Sequence, residues 1–333
     1  MALSRRTAAF LAAAGLLVIA AIIITVVLVR GAQAPHQPAQ GTVVVASAQS
    51  KASEAAAEAP DGSPEQAAAQ YLSEQPTAVW LTPEGDPADQ VGERIAQLAV
   101  EAREQSARIA VVVYGLPGRD CGGHSAGGLE ADAYAEWTDA IGEALRVAAD
   151  TSPIVLLEPD SLALAPECGD IAERVEQLST AIQALSADST WIYVDGGHSD
   201  WLPADRMAEL IGQVDQASRA HGGRRIRGFV TNVSNFMVTD DEVAYAHDVA
   251  AHLDDLHAII DTSRNGAGSN GEWCNPRGRL VGDPGGTIGD DVVDTNLWVK
   301  PPGESDGECN GGPPAGRWWP AGAVELTRDA VPE

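Results

Sequence analysis

Positive charge is scarce in this chain. Its 21 Lys and Arg stand against 48 Asp and Glu, a formal net charge of −27 over 333 residues. Nucleic acid and anionic membrane surfaces are recognised through Lys/Arg patches, so both are excluded as partners, while a neutral ligand is compatible. Phenylalanine is scarce too, with three residues against eight tryptophans. Flat indole faces suit sugar rings, although a Trp-rich core is the plainer explanation. Cysteine is limited to four residues with no C-x-x-C pair, which argues against a zinc site. Nucleophilic Ser or Cys motifs, local His pairs and D-x-D motifs are absent, as is any internal repeat.

What the chain does have begins at its N-terminus. Arg5 and Arg6 precede an uncharged run from Thr7 to Val29, followed by Arg30, and this run is long enough to span a bilayer. "AQA" (Ala32 to Ala34) suits signal-peptidase cleavage. Residues 1–30 are therefore expected to be a signal peptide or a signal-anchor transmembrane segment, with everything after them exported. The protein is then extracellular, secreted or anchored to the outer face of the membrane. In that oxidising compartment four cysteines fit two disulfides. Three pairings are possible, and the sequence-local one joins Cys121 to Cys168 and Cys274 to Cys309. Residues 31–63, rich in Ala, Gln, Pro, Ser and Glu, read as a flexible linker, leaving 64–333 as the folded domain.

From Pro64 onward, apolar runs alternate with helical periodicity. "RIAVVVYG", "PIVLLEP", "WIYVDGG", "RIRGFVTN", "LHAIIDT" and "TNLWVKP" read as strands. Amphipathic helices are expected over Pro87–Ala107, Leu129–Ala149, Asp170–Ser186, Pro203–His221 and Asp240–Leu253. Strands apolar on both faces that alternate with helices form a parallel sheet, open or closed into a barrel. In such folds ligands bind at the carboxyl ends of the strands.

Acids gather at those ends. Asp120 follows the first strand in "GRDC", and Asp160 follows the second in "LLEPDSLA". Asp195 ends the third, Asp261 the fifth, and the last leads into Glu304 and Asp306. Singly, an Asp at a strand end is ordinarily a loop or helix cap. Together on one rim, carboxylates repel and raise each other's pKa, a cost a fold keeps where it is used. Paired carboxyls without a nucleophile suggest glycosidic hydrolysis, one donating a proton and one activating water. A divalent metal on Asp195, Asp261, Asp306 and His198 is the competing reading, opposed by Arg119, Arg264 and Lys300 on the same rim.

Seven motifs in order, "VVVYGLPGRDCGGHSAGG", "LLEPDSLA", "YVDGGHSDWL", "GFVTNVSNF", "IIDTSRNG", "EWCNPRGRLVG" and "LWVKPPGESDGEC", together with "AGRWWPAGAVELTRDA" near the C-terminus, strongly resemble glycoside hydrolase family 6 cellulases of actinobacterial type. The likeness runs from about Trp80 to the end. It implies an α/β fold, a distorted and partly open (β/α) barrel of about seven parallel strands, that cleaves β-1,4-glucans with inversion. It assigns Asp160 as general acid, Asp120 as the carboxylate tuning it and relaying a proton, Asp306 as candidate base, and Tyr114 beneath the distorted ring. Trp80, Asp195, His198, Trp201, Asn232, Trp273, Lys300 and Glu304 fall on substrate-binding positions. The resemblance also implies the sequence-local disulfides and a β-glucan as partner; no cofactor or metal is expected, and the chain is expected to be a monomer.

Two departures stand out. Gly115 occupies a position where many relatives carry Asp or Asn, and Ala126 falls about where relatives have a relay serine, with Ser125 beside it as substitute. The two disulfide loops are short compared with those that roof the tunnel of the family's cellobiohydrolases, which favours an open cleft and internal cleavage.

Overall fold

A computed structural model describes residues 36–122, 127–169 and 171–331. The run from Thr7 to Val29 and Ser125 with Ala126 lie outside the described residues, so the signal or anchor and the relay serine are not addressed by it. No helix among the described residues is long and apolar enough to cross a membrane. The compact unit Gln37–Glu333 contains the fold.

Seven strands make one sheet: β1 Val79–Leu81, β2 Ala110–Val113, β3 Ile154–Leu157, β4 Trp191–Asp195, β5 Gly228–Thr231, β6 His257–Asp261 and β7 Val293–Leu297. They pair in chain order and every pair is parallel. The sheet curls so that its two edges meet at one bridge, Thr77 to Trp298, where the Ala78 N–H donates to the Trp298 carbonyl at 2.9 Å. This is the partly open barrel the resemblance implies. At Gly228 a Cβ would sit 1.6 Å from the His257 carbonyl oxygen, so only glycine lets β6 approach β5 there.

Successive strand residues alternate between two cores. Ala110, Val112, Ile154, Leu156, Tyr193, Val230 and Ile259 fill the inside of the curl. Val111, Val113, Val155, Leu157, Val194, Phe229 and Ile260 face the helices. Both faces being buried explains the uninterrupted apolar runs. The five expected amphipathic helices are present as α3 Val91–Gln105, α4 Ala131–Val147, α6 Ile171–Leu185, α7 Ala204–Ala220 and α8 Thr239–Ala250. Short α5, Ser161–Cys168, begins directly after Asp160.

The segment read as a flexible linker is a different matter. From Pro38 onward it is packed structure. Val44 and Val45 are buried, Val44 bridges Arg108, and the Val45 and Arg108 N–H groups donate across that junction at 2.9 Å. Helix α1, Lys51–Glu58, is capped by the Ser50 hydroxyl, and α2, Pro64–Ser73, by Ser63 with proline in its first turn. Ala52, Ala68 and Leu72 from these helices pack with Trp298 and with Ala323 of α9, Pro320–Thr327. This small core covers the seam where β1 meets β7. Composition misled because alanine is both common in linkers and the best helix former. Strand β1, only three residues long, was too short to register as an apolar run.

Candidate active site

Three acids at the carboxyl ends of β2 and β3 adopt left-handed backbone: Asp120 (φ 54°), Glu158 (φ 52°) and Asp160 (φ 69°). Non-glycine residues pay for that conformation, and such strain concentrates at functional sites. Glu158 shows what holds the turn. Its buried carboxylate accepts from the Gly115 N–H at 3.0 Å, the Leu116 N–H at 3.1 Å and the Tyr134 hydroxyl at 2.9 Å. It thus ties the exit of β2 to the end of β3. Burial pushes its pKa up to about 7 against the pull of those donors. Gly115 has its own reason: a Cβ would lie 2.6 Å from the Trp137 ring, so Asp or Asn has no room in this chain.

Asp160 stands one turn further, partly open to solvent, at the start of α5. Its N–H donates to Asp195 Oδ2 at 3.0 Å, which also accepts from Gly197 N–H at 3.0 Å. The Asp160 carboxyl is raised well above the usual range. Burial is the largest cause, followed by the charges of Asp195 and Asp120, with Lys300 opposing. The sequence argument put the neighbouring carboxylate first, but desolvation leads, and Asp195 outranks Asp120. Asp120 accepts from the Tyr114 hydroxyl, 2.7 Å from each of its oxygens. Tyr114 is sandwiched: Arg119 lies 4.4 Å over its ring, and Trp80 meets it edge-on at 5.1 Å. Trp80 is itself fixed by its Nε1–H on the Val299 carbonyl at 2.9 Å, with the Lys300 ammonium 5.4 Å from its ring.

The side beyond β6 and β7 is built oppositely. Arg264 Nη1 lies 2.9 Å from both oxygens of Asp306, and the Asn275 N–H donates to Oδ2 at 3.0 Å. Lys300 Nζ is 3.7 Å from Oδ1. Burial raises the Asp306 pKa, but the two cations and these hydrogen bonds outweigh it and leave the carboxyl below its ordinary value. Lys300 is lowered by its own burial, Asp306 opposing. In return, Asn275 Oδ1 accepts a hydrogen bond from the Asp306 N–H at 2.9 Å. It adjoins Cys274, whose disulfide to Cys309 clamps this loop, as Cys121–Cys168 clamps the loop after Asp120. Both pairings are the sequence-local ones.

Other candidates divide. His198 and Trp201 are partly buried, with ring centroids 5.3 Å apart. Trp273 is exposed beside the second disulfide. Glu304 lies on the same loop as Lys300 and Asp306, bonded to Lys51 Nζ at 2.9 Å. Asn232 is a correction: fully buried, its amide is spent on the Met237 and Asp261 carbonyls and the Met237 N–H, leaving nothing for a sugar. Asp195, also buried, supports Asp160 instead of reaching a ligand. Asp261 accepts four backbone N–H groups, from Ser234, Ser263, Val299 and Lys300. With Asp195 and Asp261 on backbone and Asp306 on Arg264, the four groups of the metal reading share no common centre. Sequence reasoning missed Asn275 and the clamping role of Arg264; "SRNG" and "WCNP" carried them without showing that they meet at Asp306.

Comparison with known proteins agrees with this geometry. The model of glycosyl hydrolases family 6 matches residues 38–330, starting well before the boundary expected at Pro64. An endoglucanase A of Cellulomonas fimi is 44% identical over 221 residues, 66% of this chain and 47% of that protein. An endoglucanase 1 of Streptomyces sp. (strain KSM-9) is 39% identical over 78% of this chain and 70% of its own. A cellobiohydrolase of Podospora anserina is 34% identical over 67% of this chain and 64% of its own. The chain spans about half the length of the Cellulomonas fimi and Thermobispora bispora relatives it matches. Among solved structures, an endoglucanase of Mycobacterium tuberculosis bound to methyl-cellobiosyl-4-deoxy-4-thio-β-D-cellobioside superposes with a TM-score of 0.78 at 34% identity, over 89% of this chain and 99% of that one. By sequence and by fold, the chain belongs to glycosyl hydrolases family 6.

Proposed function

We propose that this protein hydrolyses β-1,4-glucosidic bonds of cellulose or a related β-glucan with inversion at the anomeric carbon, acting internally along the chain. One observation carries the reading. Asp160, which feels the charge of Asp306, has its pKa raised chiefly by burial, whereas Arg264 Nη1, 2.9 Å from both Asp306 oxygens, and Lys300 Nζ, 3.7 Å away, hold the Asp306 carboxyl below its ordinary value. A neutral carboxyl beside an ionised one is what inverting hydrolysis requires.

Asp160 donates its proton to the glycosidic oxygen as the bond to the anomeric carbon breaks. Water attacks that carbon from the opposite face and releases its proton on the Asp306 side. The cations make Asp306 a weak base, so orienting the water is the larger part of its role. Asp120 holds Tyr114 beneath the sugar and supplies charge and a proton path to Asp160. Trp80, Trp201 and Trp273 offer stacking faces, while Lys300 and Glu304 offer polar contacts. The two short disulfide-closed loops support an open cleft, and the named endoglucanases among the relatives agree with internal cleavage. Two disulfides also fit an extracellular enzyme.

The test is proton NMR of fresh product from cello-oligosaccharides, paired with viscometry of carboxymethylcellulose. The α-anomer should appear first, with viscosity falling before reducing ends accumulate. First release of the β-anomer would overturn inversion, and a slow viscosity drop would overturn internal cleavage. EDTA should leave the rate unchanged.

A further inference from the structure

The polar rim at the strand ends reaches back to a residue before the domain boundary expected at Pro64. Lys51 opens α1, in the stretch whose composition suggested a linker, and its Nζ lies 2.9 Å from Glu304 Oε2. The Glu304 side chain is only 13% exposed, while that of Lys51 is 48% exposed. The Lys51 charge is also felt by Asp86, beyond β1, and by Lys300. One ammonium therefore faces the loops that follow both edge strands of the sheet.

Its place in the helix is unusual. As the first residue of α1, Lys51 puts a cation at the positive end of the helix dipole, where it weakens the helix. Helix stability does not account for a lysine there; Glu304 does. Glu304 has a well-fixed backbone, bridged antiparallel to Trp318, and α1 is anchored through Ala52 to the core that holds Trp298 and Ala323. A lysine on a fixed helix thus grips the carboxylate of a fixed loop. The grip uses Oε2, so Oε1 keeps its lone pairs for a sugar hydroxyl.

We propose that Lys51 is a positioning residue for substrate recognition, orienting the Glu304 carboxylate toward the glucan. This rests on the reading of Glu304 as a sugar contact. It makes α1 part of the binding site, through a side chain that touches no reacting atom.

The experiment is a double-mutant cycle in the full chain, with cellotetraose as substrate, comparing Lys51→Ala, Lys51→Arg, Glu304→Gln and the Ala/Gln double variant. Lys51→Ala should raise KM about three- to fivefold, the upper range for a half-exposed ion pair, with a smaller change in kcat. Lys51→Arg should restore most of the KM. In the Glu304→Gln background, Lys51→Ala should add little, and wild-type KM should climb with salt more steeply than that of Lys51→Ala. Additive effects in the cycle, or an unchanged KM in Lys51→Ala with wild-type melting temperature, would overturn the proposal. Wild-type turnover of cellotetraose is read first, so absence of hydrolysis counts against the proposed function and not against Lys51. Should Lys51→Ala melt early, the Arg variant decides: restored melting without restored KM also overturns the idea.

Discussion

The two sides of the strand-end rim use the same residue type to opposite ends. On the β2–β4 side, Asp160 feels the charges of Asp195 and Asp120, with Lys300 opposing them. On the β6–β7 side, Asp306 sits between Arg264 and Lys300. Both carboxyls are largely buried, and burial alone would neutralise both. Cations decide the difference. Asp160 feels Lys300 as its opposing charge, whereas Asp306 lies against both Lys300 and Arg264.

Breaking the donor side should have the largest effect. Asp160→Asn removes the transferable proton but keeps the shape, and should lower kcat on carboxymethylcellulose by about 10²–10⁴-fold. Oligosaccharide binding by calorimetry should persist. Unchanged turnover would remove Asp160 from the mechanism.

Next comes the cationic side. Arg264→Gln leaves Asp306 with Lys300 alone, so its pKa should rise, and the acid limb of the pH–rate profile should move to higher pH. Losing one partner of a buried pair should also cost about 3–5 kcal/mol of stability by urea denaturation. Arg264→Lys keeps the charge and should move the limb less. If neither variant shifts the acid limb, Asp306 does not govern it.

The smallest expected effect sharpens the comparison. Asp120→Asn removes one of the anions that raise the Asp160 pKa. Hydrolysis needs Asp160 protonated and is lost as pH rises through its pKa, so the basic limb should shift to lower pH. Because burial and Asp195 contribute more, the shift should be modest, with kcat reduced by roughly tenfold through loss of the Tyr114 bond and the proton path. A basic limb that moves upward would contradict the sign of this interaction.

Much of this was legible in the chain itself. Continuous apolar runs such as "IVLL" announced strands buried on both faces, and helical periodicity placed α3, α4, α6, α7 and α8 within a few residues. The strand-end rule located the rim and picked out Asp120, Asp160 and Asp306. It failed to separate the acids by role. Asp195 and Asp261 end strands as visibly as the catalytic candidates, yet Asp195 accepts the Asp160 N–H and Asp261 the Val299 and Lys300 N–H groups, all brought from other segments. Asn232 is spent in the same way.

Sequence by itself therefore determined the layered fold, the rim and the chemistry of its residues, because periodicity and residue type are local properties. Tertiary structure alone decided which carboxyls are neutral, which are ionised and which merely brace the backbone. It also drew Lys51 and α1 to the rim. Protonation and partnership depend on what the curl of the sheet brings within a few ångströms, and residues 42 positions apart, such as Arg264 and Asp306, become neighbours only there.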